Sequence, residues 1–213
     1  MASQDLTLDD LKLRAIGMMD APTTDSHYGA LVTAWINDGL MRMCMEGEGI
    51  EDLKSFTTVA GTRAYTLPVV TDATAKQFIR AKMVLYDGRV LDYNPILNLD
   101  FFSSGNSPPD KYTIWNGQIL LGPSPPDAAE TLDVYYVREP LLLSAAGDKP
   151  EIPNRFRSYL ADYAASMQMM ADGDLNDARA LMASYEAGVA RYRHWAVFKS
   201  KQNYVQVIGE VDY

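Results

Sequence analysis

The chain has 213 residues, enough for one sizeable domain or two small ones, and its hydrophobic fraction of 47% and charged fraction of 22% are those of an ordinary folded protein. A single cysteine, Cys44, excludes an intramolecular disulfide, and two histidines leave little room for zinc or Ser-His-Asp chemistry. The formal net charge of −9 excludes a global electrostatic footprint for nucleic acid, whose phosphates require clustered Lys and Arg.

The opening stretch MASQDLTLDD has no basic run and no long apolar segment, so no secretory signal is expected. No segment approaches the ~20 apolar residues that span a bilayer, and the chain is expected to be made and folded in a cytoplasm. Thr7 with Asp10 forms a capping box ahead of Leu11, Leu13 and Ile16, which predicts a first helix stopping near Gly17 to Asp20, before Ala21-Pro22. Thr23-Thr24-Asp25 offers a second start. Behind it Tyr28, Leu31, Val32, Trp35, Ile36 and Met43 recur at three- and four-residue spacing, and Gly47 and Gly49 end the run. Cys44, among Leu40, Met41, Met43 and Met45, reads as a small buried hydrophobe.

From Phe56 to Val137 the pattern changes to short β-rich runs with turn signals every ten residues or so. Phe56 to Val59 leads to Gly61, and Arg63 to Leu67 stops at Pro68. Phe78 to Tyr86 turns at Asp87-Gly88 into Arg89-Val90-Leu91. Tyr112 to Trp115 turns at Asn116-Gly117 into Gln118 to Leu121, closed by Gly122-Pro123. Thr131 to Val137 alternates Leu132, Val134 and Tyr136 to one face. With no crossover helices between them, these strands predict a small antiparallel sandwich or barrel.

A Pro-punctuated link, Arg138 to Pro153, leads back to helix after Asn154. Phe156, Tyr159, Leu160, Tyr163, Met167 and Met170 share one helical face. Asp172-Gly173-Asp174 breaks it, and Leu175, Ala178, Met182, Tyr185, Val189 and Tyr192 give the inward face of a second, antiparallel helix. Beyond His194 the periodicity fades into the β-leaning run Tyr204 to Ile208, which predicts an extended tail ordered by a partner. The fold class is therefore α+β, with N-terminal helices (1–50) packing on the C-terminal ones, a β domain (51–150), a helical hairpin (151–193) and a docking tail (194–213).

No chemistry stands out. His27, beside Tyr28, and His194, between Arg193 and Trp195, read as structural or surface residues. No HExxH, G-x-S-x-G or Walker-type run is present, no cofactor is implied, and no particular carboxylate pair suggests a hydrolase. Glu46-Gly47-Glu48-Gly49 lacks the alternating oxygen ligands of a calcium loop and reads as a solvated helix end. Asp172-Gly173-Asp174 reads as a turn with a helix cap. Trp115 and Tyr112 could stack on a sugar, but packing within the sandwich is the plainer role. Arg179, Arg191, Arg193, Lys199 and Lys201, interleaved with Tyr192, Trp195, Phe198 and Tyr204, favour a protein-docking surface over a nucleic-acid site. The candidate docking residues are Arg191, Arg193, Trp195, Phe198, Lys199, Lys201, Tyr204, Val205, Val207, Ile208 and Tyr213.

Four phrases, in order, resemble the head-to-tail adaptor (connector) proteins of tailed, particularly short-tailed, bacteriophages. Gly61-Thr62-Arg63-Ala64-Tyr65-Thr66-Leu67-Pro68 is similar to the opening of their central β region, and Gly117 to Pro125 to a later strand ending in a Pro-rich turn. Tyr135 to Pro140 with Leu143-Ser144 resembles the exit, and Pro150 to Phe156 the lead-in to the C-terminal helices. The resemblance covers roughly Thr24 to Tyr192. It implies a structural, non-enzymatic virion subunit, forming a ring of typically twelve copies that joins the portal protein to tail or nozzle proteins. It also implies a C-terminal region that reaches the portal, and a channel through which DNA passes without specific binding, which suits an acidic protein. We expect a monomer in isolation that assembles on the portal. The rivals are a tail-completion or tail-tube protein and a carbohydrate-binding β module.

Overall fold

The computed structural model describes residues 5–20, 26–47, 50–68, 78–96 and 107–208, with the side chains of 26–28 and 200–208 set aside. It contains helices α1 (Leu8–Met18), α2 (Ser26–Gly47), α3 (Asn154–Asp172) and α4 (Leu175–Ile208). The strands are β1 (Glu51–Thr57), β2 (Ala64–Thr66), β3 (Phe78–Tyr86), β4 (Arg89–Val90), β5 (Asp92–Tyr93), β6 (Lys111–Trp115), β7 (Gln118–Gly122) and β8 (Thr131–Arg138). The chain forms two compact units, one from Met1–Ile50 with Pro140–Tyr213 and the other from Glu51–Glu139. The fold class is α+β, as the two patterns of periodicity require.

In the helical unit, α1 begins at the capping box read from sequence. The Asp10 amide donates to Thr7 Oγ1 at 3.3 Å, and the Thr7 amide donates to Asp10 Oδ2 at 2.9 Å. Two further first-turn amides, those of Leu8 and Asp9, donate to the carbonyls of Asp148 and Ala146 at 2.8 and 3.1 Å. The Pro-punctuated link thus satisfies donors that a helix start leaves open. The link is itself held by Asp148, whose Oδ2 accepts from the amides of Ser144 and Ala145, each at 2.7 Å. Those bonds keep the Asp148 carboxyl below its ordinary value. Asn37 on α2 fixes the link a second time, accepting from the Leu143 amide at 2.8 Å and donating to its carbonyl at 2.9 Å. The second start, at Thr23-Thr24-Asp25, lies outside the described residues, as do Glu48 and Gly49.

α3 is the central helix, packing on α1, α2 and α4. Phe156, Leu160, Ala161, Tyr163, Ala164 and Ala165 are all buried, a stripe wider than the single face the sequence predicts. α3 and α4 run antiparallel around Gly173, whose φ of +92° only glycine adopts freely, and the Asp174 amide closes the turn on the Met169 carbonyl at 2.9 Å. On α4, Ala178, Tyr185, Val189 and Tyr192 are buried as read. Leu175 is not: it sits 51% exposed in the first turn, where it has no facing helix to meet. Cys44 is buried.

The C-terminal expectation is corrected. The segment from His194 to Ile208 is not extended but continues α4 without a break, so α4 is one helix of 34 residues, ~51 Å long at about 1.5 Å per residue. Extending an existing helix fixes only one more residue for each added hydrogen bond, so a weakly β-leaning run is carried along. The apolar stripe also persists longer than it reads in sequence, since Trp195 and the buried Ala196 follow Tyr192 onto the core.

In the β unit, β8 lies between β1 and β3 in an antiparallel sheet ordered β1-β8-β3-β4. Leu132, Val134 and Tyr136 of β8 face the core with Val84 and Tyr86 of β3. The second sheet runs β2-β7-β6-β5 and contributes Tyr65, Tyr112, Ile119 and Leu121 to the same core, which makes a sandwich. Both hairpin turns form where read. Asn116 and Gly117 have φ of +48° and +70°, and Asp87 and Gly88 have φ of +46° and +75°, the left-handed pairs of tight hairpins. Two details differ from expectation. β1 starts at Glu51, where Glu51, Asp52 and Lys54 mask the β pattern, because β1 is an edge strand with half of its side chains in water. The short β5–β6 pairing is parallel, Asp92 opposite Lys111 and Tyr93 opposite Tyr112, so the sheets are not wholly antiparallel.

Candidate docking surface

The distal half of α4 carries most of the candidate docking residues, and its base is an aromatic cluster. Phe156 at the start of α3 meets Tyr192 edge-on, with ring centroids 5.3 Å apart, and Trp195 at 5.9 Å. The Arg155 guanidinium lies 4.8 Å from the Phe156 ring and 5.4 Å from that of Trp195, and Lys199 Nζ lies 5.6 Å from the Trp195 ring. Each such contact is worth ~0.5–1 kcal/mol at an exposed site. Together they hold the indole while leaving part of it in water. Trp195 therefore joins core to surface and is not a free anchor.

The other candidates divide. Arg191 Nη1 donates to Tyr159 Oη at 2.7 Å and so ties α4 to α3. Arg193, Phe198 and Lys199 are exposed, Phe198 at 54%, with Val197 beside it at 47%. Adjacent exposed Val and Phe on a helix expose apolar area that a partner would cover. Lys201, Tyr204, Val205, Val207 and Ile208 lie on α4 with undescribed side chains, and Tyr213 is outside the described residues. His194 is exposed, its ring edge-on to Phe198 at 4.7 Å. The side chain of His27 is not described.

A cleft of about 510 Å³ opens between α2 and α4, lined by Arg42 and Glu46 from α2 and by Glu186, Val189, Ala190, Arg193, His194 and Val197 from α4. Arg42 Nε donates to Glu46 Oε1 at 2.9 Å, and its Nη2 lies 3.9 Å from Glu186 Oε1. The Glu46 bond pushes the Arg42 guanidinium above its ordinary value. Of the candidate docking residues only Arg193 lies here. The spacing of Glu186, Ala190, Arg193 and Val197 on one helix face was legible, but the α2 wall is far away in sequence.

The β unit exposes a second aromatic surface. Trp115, expected to pack within the sandwich, is 58% exposed at the β6–β7 turn, and Tyr93 is 60% exposed. Alternation along β6 turns Tyr112 and Ile114 to the core, across from Leu121 and Ile119, so Trp115 lies on the other face of its sheet, while Tyr112 is buried as expected. Among the described residues, no group of three His, Cys, Asp or Glu side chains could hold a metal, and no helix is long and apolar enough to cross a membrane. The family model described as SU10 adaptor protein matches residues 6–205, through both units and nearly to the end of α4. No curated protein matches the chain.

Proposed function

The chain belongs to the SU10 adaptor protein family, and on that premise we propose that it is a structural subunit of a tailed-phage virion at the head–tail junction. In this reading copies of the chain, twelve in number, form a ring that joins the portal to the tail and extends the DNA channel. The observation that carries it is the distal end of α4, where Val197 and Phe198 stand exposed beside Arg193 and Lys199 at the close of a helix ~51 Å long. A helix of that kind suits insertion into a groove of another protein, with apolar anchors and flanking cations. The portal is the partner, and DNA slides past an acidic subunit without being held.

Deleting Val197 to Tyr213 tests this. Portal binding is expected to disappear while far-ultraviolet circular dichroism keeps a helical unit intact. Unchanged portal binding by the shortened chain would favour a tail-completion role, in which the tail is the partner.

A second reading rests on Trp115 and Tyr93, which are exposed where a sandwich core was expected to take up the indole. Exposed aromatic faces on a rigid sheet suit stacking against sugar rings. A glycan array with wild type and Trp115→Ala distinguishes this: Trp115-dependent binding would support it, and no binding would remove it.

A further inference from the structure

β1 is an edge strand of seven residues, and the outer edge of such a strand is a surface on which a second strand can add. Backbone groups alternate between the two sides of a strand. The Thr58 amide donates to the Glu130 carbonyl at 2.8 Å, so along the unbroken β1–β8 register Asp52, Lys54 and Phe56 face β8. Glu51, Leu53, Ser55 and Thr57 face outward, where no strand pairs with them among the described residues. On the face away from the core, Leu53, Tyr135 and Met83 stand opposite one another across β1, β8 and β3, and Leu53 is 44% exposed. An apolar row running out to an open edge invites self-association.

Leu53 does not present a bare donor to that edge. Its amide donates to Asp52 Oδ1 at 2.9 Å, while Asp52 Oδ2 accepts from Arg138 Nε at 3.1 Å. Arg138 ends β8, is 6% exposed and donates through Nη1 to the Glu139 carbonyl at 3.0 Å, so two contacts fix its guanidinium. A buried cation thus orients the carboxylate that occupies an outward-facing donor. Lys54, the next residue, is exposed and adds a charge beside the same edge.

We propose that Arg138, Asp52 and the Leu53 amide form an autoinhibitory contact, in which Asp52 closes the β1 edge and keeps free subunits from joining sheet to sheet. With its proton held by a carboxylate, the Leu53 amide has nothing to give an incoming carbonyl. The carboxylate also brings negative charge to where that carbonyl oxygen would sit. Arg138 is the positioning residue. The contact acts within one chain and does not depend on the portal reading.

Hydrogen exchange in the wild-type chain reads the cap directly. The Leu53 amide is expected to exchange about tenfold more slowly than those of Ser55 and Thr57, as a hydrogen bond to a charged acceptor requires. Asp52→Ala combined with Arg138→Met removes the cap and takes away both charges of the pair together, so that neither is left stranded. Sedimentation velocity of this double variant is expected to show association rising with concentration, over a range in which the wild-type coefficient does not change. Adding Leu53→Pro, which withdraws the exposed donor and is tolerated on an edge strand, is expected to abolish that association. Association caused by general unfolding would not be reversed by a proline, so the series separates an open edge from a damaged fold. Leu53 exchanging as fast as Ser55 and Thr57, a double variant that associates no more than wild type, or association that survives Leu53→Pro would overturn the proposal.

Discussion

Three glycines set the close packing of the helical unit by making room for tyrosine rings. A Cβ added at Gly39 would sit 2.8 Å from Tyr163 Cδ1, one at Gly47 2.4 Å from Tyr192 Cδ1, and one at Gly188 2.4 Å from Tyr159 Cγ. Tyr192 is fully buried and has nowhere to move. Gly47→Ala should therefore destabilise the protein by ~1–3 kcal/mol through overpacking, even though alanine is the better helix former. Gly17→Ala, where a Cβ meets nothing within 4 Å, should instead stabilise by about 0.5–1 kcal/mol. Urea unfolding of both variants checks the contrast, and an equal effect would contradict it. Tyr163 gives a pH signature. Burial first, and then its hydrogen bond to Asp38, push the phenol up from 10.0 to about 12. Folding thus favours the neutral phenol. That stabilisation is complete below about pH 10, where the phenol is neutral in both states, and is lost as pH rises from there towards about 12. Tyr163→Phe should flatten the alkaline fall in stability, while the buried Tyr185, also shifted upward by desolvation, leaves part of it. An alkaline slope identical to wild type would contradict this assignment.

At the scale of elements, the signals that proved legible are those that act over a few residues. Thr7 with Asp10 caps α1, Asn116-Gly117 turns β6 into β7, and Gly173 ends α3, each because local backbone geometry leaves few alternatives. The misreadings depend on neighbours distant in sequence. Leu175 has the right spacing for a core face but lies beyond the packed part of α3, and Trp115 alternates out of phase with Tyr112 and Ile114, whose pairing with the core residues of β7 sets the inward face. Nothing local marks the link 140–153 as ordered, yet Asn37 holds it by two hydrogen bonds to Leu143. Asn37→Ala would leave the buried Leu143 without its side-chain partner, and should cost ~1–3 kcal/mol. Hydrogen exchange at the Leu143 amide measures it directly: exchange should quicken in the variant, and unchanged protection would contradict the account.

At the scale of the molecule, the change from helical to strand periodicity after Ile50 and back again near Pro153 made the α+β class readable. The candidate docking surface was readable only in part. Arg193, Phe198 and Lys199 stand out as cations and aromatics in a row, but their use depends on α4 remaining helical past His194, which local preference did not show. A subunit of this kind needs no catalytic group; it needs surfaces that become buried when a partner is present. The most direct measurement is negative-stain imaging of the protein mixed with the portal encoded in the same genome, with rotational symmetry counted. The account predicts a ring stacked coaxially on the portal with matching symmetry; portal rings that remain bare would contradict it.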